Sequence, residues 1–312
     1  MTSEHTARPD GFRFAVQLAN LDTLDAWRND VRWAEDAGFD VISVPDHVGG
    51  QLAPLPTLAA AAMITSRVRL GTFVLANGFR NVALLANDVA TIDVLSGGRV
   101  ELGLGCGWDE AEHRQLGVPF PAAPTRMEEL AATVQFLRRA WRGEEITDGV
   151  GPLALQQFQS FPPPVSHGGP PLVIGAGGPR MLRLAAQIGD IVAIVPPTEG
   201  LKNSRTFGRS LCREAALRQA AIARANSSRP ALNLRILRVA VEPDGGDVAS
   251  LASVEGMTAD ELAASPFAAI GSVSAICDHL RGVREELGIS YFTVSQRHAQ
   301  ALAPVIQRLT GS

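Results

Sequence analysis

The chain has 312 residues, 46% of them hydrophobic and 19% charged, with a net charge of −4. That length fits one large α/β domain or two ordinary ones, the acidic balance leaves no electrostatic footprint for a nucleic-acid backbone, and no run of roughly 18 uncharged apolar residues offers a membrane span. Cys106, Cys212 and Cys277 lie far apart and never in a CxxC, which argues against a disulfide framework or a local zinc site.

Residues 1–11 are polar and charged, with no apolar core of a signal sequence, and read as an extended tail before a single domain over 12–312 of a cytoplasmic protein. Residues 14–18 read as a strand, after which Leu24, Trp27, Val31 and Ala34 recur at helical spacing up to Gly38. Strand 41–44 precedes an alanine-rich helix at 57–66, and strand 68–75 precedes a helix over 83–95. After the Gly97-Gly98 break come strand 100–104 and a long helix over 126–141. Residues 143–171, rich in Gly and Pro, read as an excursion holding at most a hairpin. Alternation resumes with strand 172–174, a helix from Pro179, strand 190–195 and an arginine-studded helix over 203–225. Strand 233–241 follows, then a surface loop over 243–270 with one short helix at 258–264, helix 274–287, strand 291–294 and a closing helix. Eight strands, each followed by a helix, predict an α/β fold of the (β/α)8 TIM-barrel type, because parallel crossovers are right-handed and both sheet faces must be covered. A doubly wound sheet is the competing arrangement.

Scarcities narrow the chemistry. One lysine, Lys202, stands against 27 arginines and sits in a polar stretch, which speaks against Schiff-base and pyridoxal-phosphate catalysis. The six histidines form no HxH, HxxxH or HExxH spacing, so no metal is expected. Four strand ends remain. Pro45-Asp46-His47 offers an imidazole with a neighbouring carboxylate, although the pair is equally a capping aspartate beside a surface histidine. Asn77 and Arg80 flank a glycine where the third strand runs out. In the segment 103–112, Gly105 and Gly107 would let a flat ligand approach the backbone, Trp108 could stack on it, and Cys106 defaults to a small buried hydrophobe. The strongest is Gly175-Ala176-Gly177-Gly178-Pro179-Arg180: a strand, a glycine-rich turn and a helix start, whose free amides can cradle a phosphate with Arg180 as counter-charge. It is neither a P-loop nor a clean dinucleotide fingerprint.

Six blocks, WAEDAGFD at 33–40, VPDH at 44–47, RLGT at 69–72 running on to Arg80, LSGGRVELGLGCGW at 95–108, GAGGPRML at 175–182 and ELGISYFT at 286–293, occur in order. They resemble the luciferase-like monooxygenase superfamily and, within it, the coenzyme F420-dependent oxidoreductases of actinobacteria. The resemblance implies a deazaflavin or flavin across the top of the barrel, insertion loops at that face, and a homodimer. It implies contacts to the cofactor from Phe73, Val74, Asn77, Arg80, Gly105, Cys106, Gly107, Gly175, Ala176, Gly177, Gly178 and Arg180, with a non-prolyl cis peptide at Phe73-Val74. Asp46 and His47 match the catalytic pair of the deazaflavin branch, His47 exchanging a proton and Asp46 orienting it. Sugar-phosphate dehydrogenases of that branch carry a glutamate where this chain has Trp108 and then Asp109, so a small, partly apolar substrate is expected in a pocket containing those two residues and drawn from loops 47–56, 143–171 and 196–207. The expected reaction is hydride transfer with coenzyme F420. The alternatives are an FMN-dependent monooxygenase served by a flavin reductase and, more distantly, a non-catalytic flavin-binding barrel.

Overall fold

The computed structural model describes residues 11–19, 23–150, 153–197, 204–225, 229–243, 245 and 247–310. Lys202, nearly all of the polar tail and the first residue of the helix expected over 203–225 lie outside the described residues.

In chain order the elements are β1 (Arg13–Gln17), α1 (Leu24–Asp36), β2 (Val41–Val44), α2 (Pro54–Ala62), β3 (Arg69–Thr72), β4 (Leu75–Ala76), a 3-10 turn (Asn77–Phe79) and α3 (Val82–Ser96). Then come β5 (Val100–Gly105), α4 (Glu110–Leu116), α5 (Ala123–Trp141), the hairpin β6 (Gly149–Val150) and β7 (Leu153–Ala154), β8 (Leu172–Ala176), α6 (Pro179–Ile188), β9 (Ile191–Ile194), α7 (Ser204–Leu211) and α8 (Arg213–Arg224). The chain continues through β10 (Ala231–Arg235), β11 (Arg238–Val241), α9 (Val248–Glu255), α10 (Ala259–Ala263), β12 (Ala268–Gly271), α11 (Val273–Leu287), β13 (Tyr291–Ser295) and α12 (Gln296–Thr310).

Eight parallel strands close a ring in the order β1-β2-β3-β5-β8-β9-β10-β13 and back to β1, with β4 continuing the course of β3 along β5. This is the expected TIM barrel, not the doubly wound sheet. Side chains alternate between its two faces. Phe14 and Phe292, stacked at 5.9 Å, belong to the large apolar layer shared with the helices, whereas Ala15, Val41, Val173, Ala193 and Tyr291 pack together in the smaller inner cluster. The inward set carries polar residues on several strands. Arg13 meets Glu101 at 2.9 Å and Tyr291 meets it at 2.6 Å; Asn233 meets Thr293 at 2.9 Å; and Arg235 meets Gln17 at 2.8 Å. Arg13–Glu101 and Arg235–Gln17 join strands that are not neighbours in the ring, so they cross the barrel interior.

Local signals explain most boundaries. Thr23 and Asn81 accept hydrogen bonds from first-turn amides of α1 and α3, and Gly97, at φ 69°, ends α3 in the left-handed conformation. Three elements depart from expectation. The strand expected at 233–241 divides after Arg235: Ile236 donates to Thr293 O, and β11 leaves the barrel to pair with β12, which lies in the stretch expected to be loop. The helix expected over 203–225 breaks at Cys212, whose backbone is extended. A helix not expected at all, α4, follows β5. Among the described residues no helix is long and apolar enough to cross a membrane.

Candidate active site

The C-terminal ends of the barrel strands open into a cavity of about 1490 Å³. Seven of the eight strand ends deliver residues to it, in keeping with this architecture: Gln17 from β1, Asp46 and His47 after β2, Phe73 and Val74 between β3 and β4, residues 105–109 after β5, Gly175, Gly177, Gly178 and Arg180 from β8 onward, Val195 after β9, and Arg235 from β10. Asn77, Arg80 and Ala176 do not line it, and among the described residues neither does any part of 143–171. Residues from the α4–α5 side take that place, with Phe120 and Arg126 in the wall.

Asp46 and His47 both face the cavity, but they do not serve each other. The Asp46 carboxylate, 6% exposed, takes both Arg80 guanidinium nitrogens, at 2.5 and 2.7 Å, and the Ala76 N–H at 2.9 Å. Arg80 is thereby held on Asp46, and Asp46 fastens the β2 loop to the turn after β4. The partner of His47 is Glu112, whose Oε1 lies 2.8 Å from Nδ1 and also accepts the Val48 N–H. An ionised carboxylate can only accept, so Nδ1 carries the proton and Nε2 is left as the exchanging nitrogen. Trp108, 52% exposed, stands edge-on to the imidazole at 6.2 Å.

Glu112 occupies the first turn of α4, whose N-cap is Asp109: the Asp109 carboxylate accepts from Ala111 N at 2.8 Å and Glu112 N at 3.4 Å. Asp109 therefore shapes the pocket rim by capping a helix, with its carboxylate engaged there. The spacing Asp109-x-x-Glu112 is a helix-start signal in the sequence, and it marks both α4 and the missed carboxylate. One residue on, His113 is buried between Phe79 and Phe120, each at 4.7 Å, and holds Asp109 O through Nδ1 at 2.7 Å.

The Phe73-Val74 peptide bond is cis, as the family resemblance implied. Val74 fills the space that the strand glycines leave open. A Cβ on Gly103 would stand 1.9 Å from Thr72 O, one on Gly105 2.8 Å from Val74 Cγ2, and one on Gly175 3.1 Å from the same methyl. These glycines admit the protein's own bulge; the ligand would meet that bulge and not their bare backbone. Gln17 Nε2 donates to Phe73 O at 2.9 Å and fixes it from below.

At the β8 end, Gly178 caps α6 without a side-chain acceptor, and Pro179 occupies the first turn. First-turn amides are thus left for an external anion. A Cβ on Gly178 would touch nothing within 4 Å, so the cradle is open, whereas Gly177 is packed against Val195 O. Arg180 and Arg183 are exposed beside it. Arg126 donates from Nε to Cys106 O at 3.2 Å and lies over Phe120. Burial pushes the Cys106 thiol up from its ordinary value, which fits a packing role and not that of a nucleophile.

The family profile described as luciferase-like monooxygenase matches residues 7–235. The chain belongs to that family. Among its relatives, the F420-dependent glucose-6-phosphate dehydrogenase of Beutenbergia cavernae is 34% identical over 223 residues, 68% of this chain and 62% of that protein. The 5,10-methylenetetrahydromethanopterin reductase of Archaeoglobus fulgidus is 33% identical over 165 residues, 53% of this chain and 47% of the other. The match thus spans about half to three fifths of these relatives' length. In fold, the coenzyme F420-dependent tetrahydromethanopterin reductase of Methanopyrus kandleri superposes with a TM-score of 0.73 over 96% of this chain and 98% of its own, at 18% identity. The luciferase-like barrel is therefore present from end to end of the described chain.

Proposed function

We propose that this luciferase-like protein is a coenzyme F420-dependent oxidoreductase acting on a small, partly apolar substrate. The observation that carries the reading is the His47–Glu112 pair at the rim of a cavity larger than the roughly 300–1,000 Å³ of an ordinary single-ligand pocket. Such a volume takes a cofactor and a substrate together. The residues present fit a long anionic cofactor: the Phe73-Val74 bulge for the ring, Cys106, Gly107 and Arg126 alongside, and the uncapped α6 start with Gly177, Gly178 and Arg180 for a phosphate. The F420-dependent glucose-6-phosphate dehydrogenases among the relatives support the choice over FMN.

When bound, the deazaflavin supplies a hydride donor or acceptor. The protein does the rest. His47 Nε2 gives or takes the proton that accompanies hydride transfer, and Glu112 holds the ring and stabilises its charged form. Trp108 walls the space beside His47. The Asp46–Arg80 pair keeps the His47 loop against the bulge. A homodimer belongs to the same reading and is checked by light scattering.

Calorimetric titration of the purified protein with F420 and FMN, each oxidised and reduced, tests it. At least tenfold tighter binding of F420 is expected. A preference for FMN would turn the protein into an oxygen-using monooxygenase with a reductase partner, and binding of neither would sink the cradle argument.

A further inference from the structure

Arg235 ends β10, diametrically across the ring from β3, and lines the cavity. The candidate cofactor contacts come from β3, β5 and β8 and the segments that follow them, so Arg235 stands on the side they leave open. Leu237, Phe207 and Val195 are among the apolar residues that line the same cavity. One guanidinium nitrogen donates to Gln17 Oε1 at 2.8 Å, and Gln17 in turn donates to Phe73 O at 2.9 Å. Among the described residues, no carboxylate pairs with this guanidinium. The neighbouring cations have partners of their own: Arg238 is paired with Glu255, and Arg297 donates to His298 Nε2. Burial, and after it the charge of Arg297, lowers the Arg235 pKa, as befits a cation without its anion.

Arg235 is half-buried in the cavity wall, and a guanidinium held there without a carboxylate of its own is a ready partner for an anionic ligand. We propose that Arg235, held by Gln17, is a specificity-determining residue that receives a carboxylate on the substrate, so that the enzyme's substrates are small apolar organic acids. A guanidinium edge matches a planar carboxylate with two parallel N–H···O bonds. A single guanidinium balances a single negative charge, and a phosphate dianion would be left half-met. The inference rests on the hydride-transfer reading for what happens to the acid, but the carboxylate site itself exists without the cofactor.

The test is calorimetric titration of the full chain, with and without saturating F420, using benzoate, benzamide and phenyl phosphate. Benzoate is expected to bind tenfold or more tighter than either of the others. Arg235→Met removes that preference, a loss of roughly 10- to 100-fold for a charge-assisted pair, and Arg235→Lys keeps part of it. Melting temperatures of both variants establish that they fold, and the wild-type comparison needs no variant. Equal binding of benzoate and benzamide, tighter phenyl phosphate, or a benzoate preference that survives in Arg235→Met would overturn the proposal. So would a variant in which reduced F420 alone is weakened, since the guanidinium would then serve the cofactor. Failure of F420 to bind, with the benzoate preference intact, would defeat the cofactor reading and leave the carboxylate site standing.

Discussion

At His47 the contact from Nδ1 to Glu112 decides which ring nitrogen does chemistry, and Asp46, one residue away, has no part in that choice. His47→Ala is expected to lower turnover by about 10²–10⁴-fold, the usual worth of a positioned acid–base group, with F420 affinity within about threefold. Glu112→Gln keeps the shape but loses the charge that stabilises imidazolium, and a drop of about 10- to 100-fold is expected in steady-state kinetics. Asp46→Ala acts on folding. It strands the Arg80 guanidinium, 24% exposed, and an intact pair of this kind removed on one side costs about 2–4 kcal/mol, read by chemical denaturation. An unchanged denaturation midpoint would show that the pair contributes nothing to holding the loop. Adjacent residues in sequence suggested a pair; the turn after β2 sends the two side chains to different partners, which spacing alone does not reveal.

Among elements, the bulge between β3 and β4 sets the composition of its neighbours. Gly105→Ala places a methyl 2.8 Å from Val74 Cγ2, and overpacking of this kind costs about 1–3 kcal/mol. Val74→Ala in the same chain makes room again, so the double variant is expected to recover at least half of the loss in a double-mutant cycle. Strict additivity would mean that the two residues do not touch. Barrel strands and most helices were legible because their apolar periodicities and glycine stops are local. The division between β10 and β11 was not: residues 231–241 carry no glycine or proline at the break, and pairing of β11 with β12 decides it. That is also why Arg235, which the structure shows to be a strand end, read as mid-strand. Gln17, a polar residue closing β1 after the apolar run Phe14-Ala15-Val16, was a signal of the right kind, since strand C-termini carry the site in this fold.

Across the whole barrel, polar side chains run up the interior from Arg13, Glu101 and Tyr291 at the N-terminal face to Gln17 and Arg235 at the mouth. Burial, then the charge of Glu101, raises the Tyr291 pKa well above its ordinary value. The unfolded chain therefore loses this proton first, near pH 10, and stability falls as pH rises beyond that point. The chain has one tyrosine, so tyrosinate absorbance reports this group alone. The signal is expected to appear together with unfolding and not before it; an earlier rise would mean that the interior is open to hydroxide. His298 works in the opposite window. Burial, then Arg297 and Arg238, lower its pKa to about 4, so the folded state resists protonation while the unfolded state takes it up near 6.5. Stability from this group is complete above about pH 6.5 and declines as pH falls towards about 4. His298→Gln is expected to flatten the dependence of unfolding free energy on pH in that interval by up to one proton.

Trp108 gives the molecule a built-in optical handle. Of the four tryptophans, Trp27 and Trp141 are 6% and 5% exposed, Trp33 packs on Phe39, and Trp108 alone stands at the cavity beside His47. Three indoles shielded from the cavity emit as a steady background, and the fourth, wet one emits to the red. Subtracting the spectrum of Trp108→Phe from that of the parent therefore isolates a single chromophore at the pocket mouth, and whatever enters the cavity announces itself in that difference spectrum.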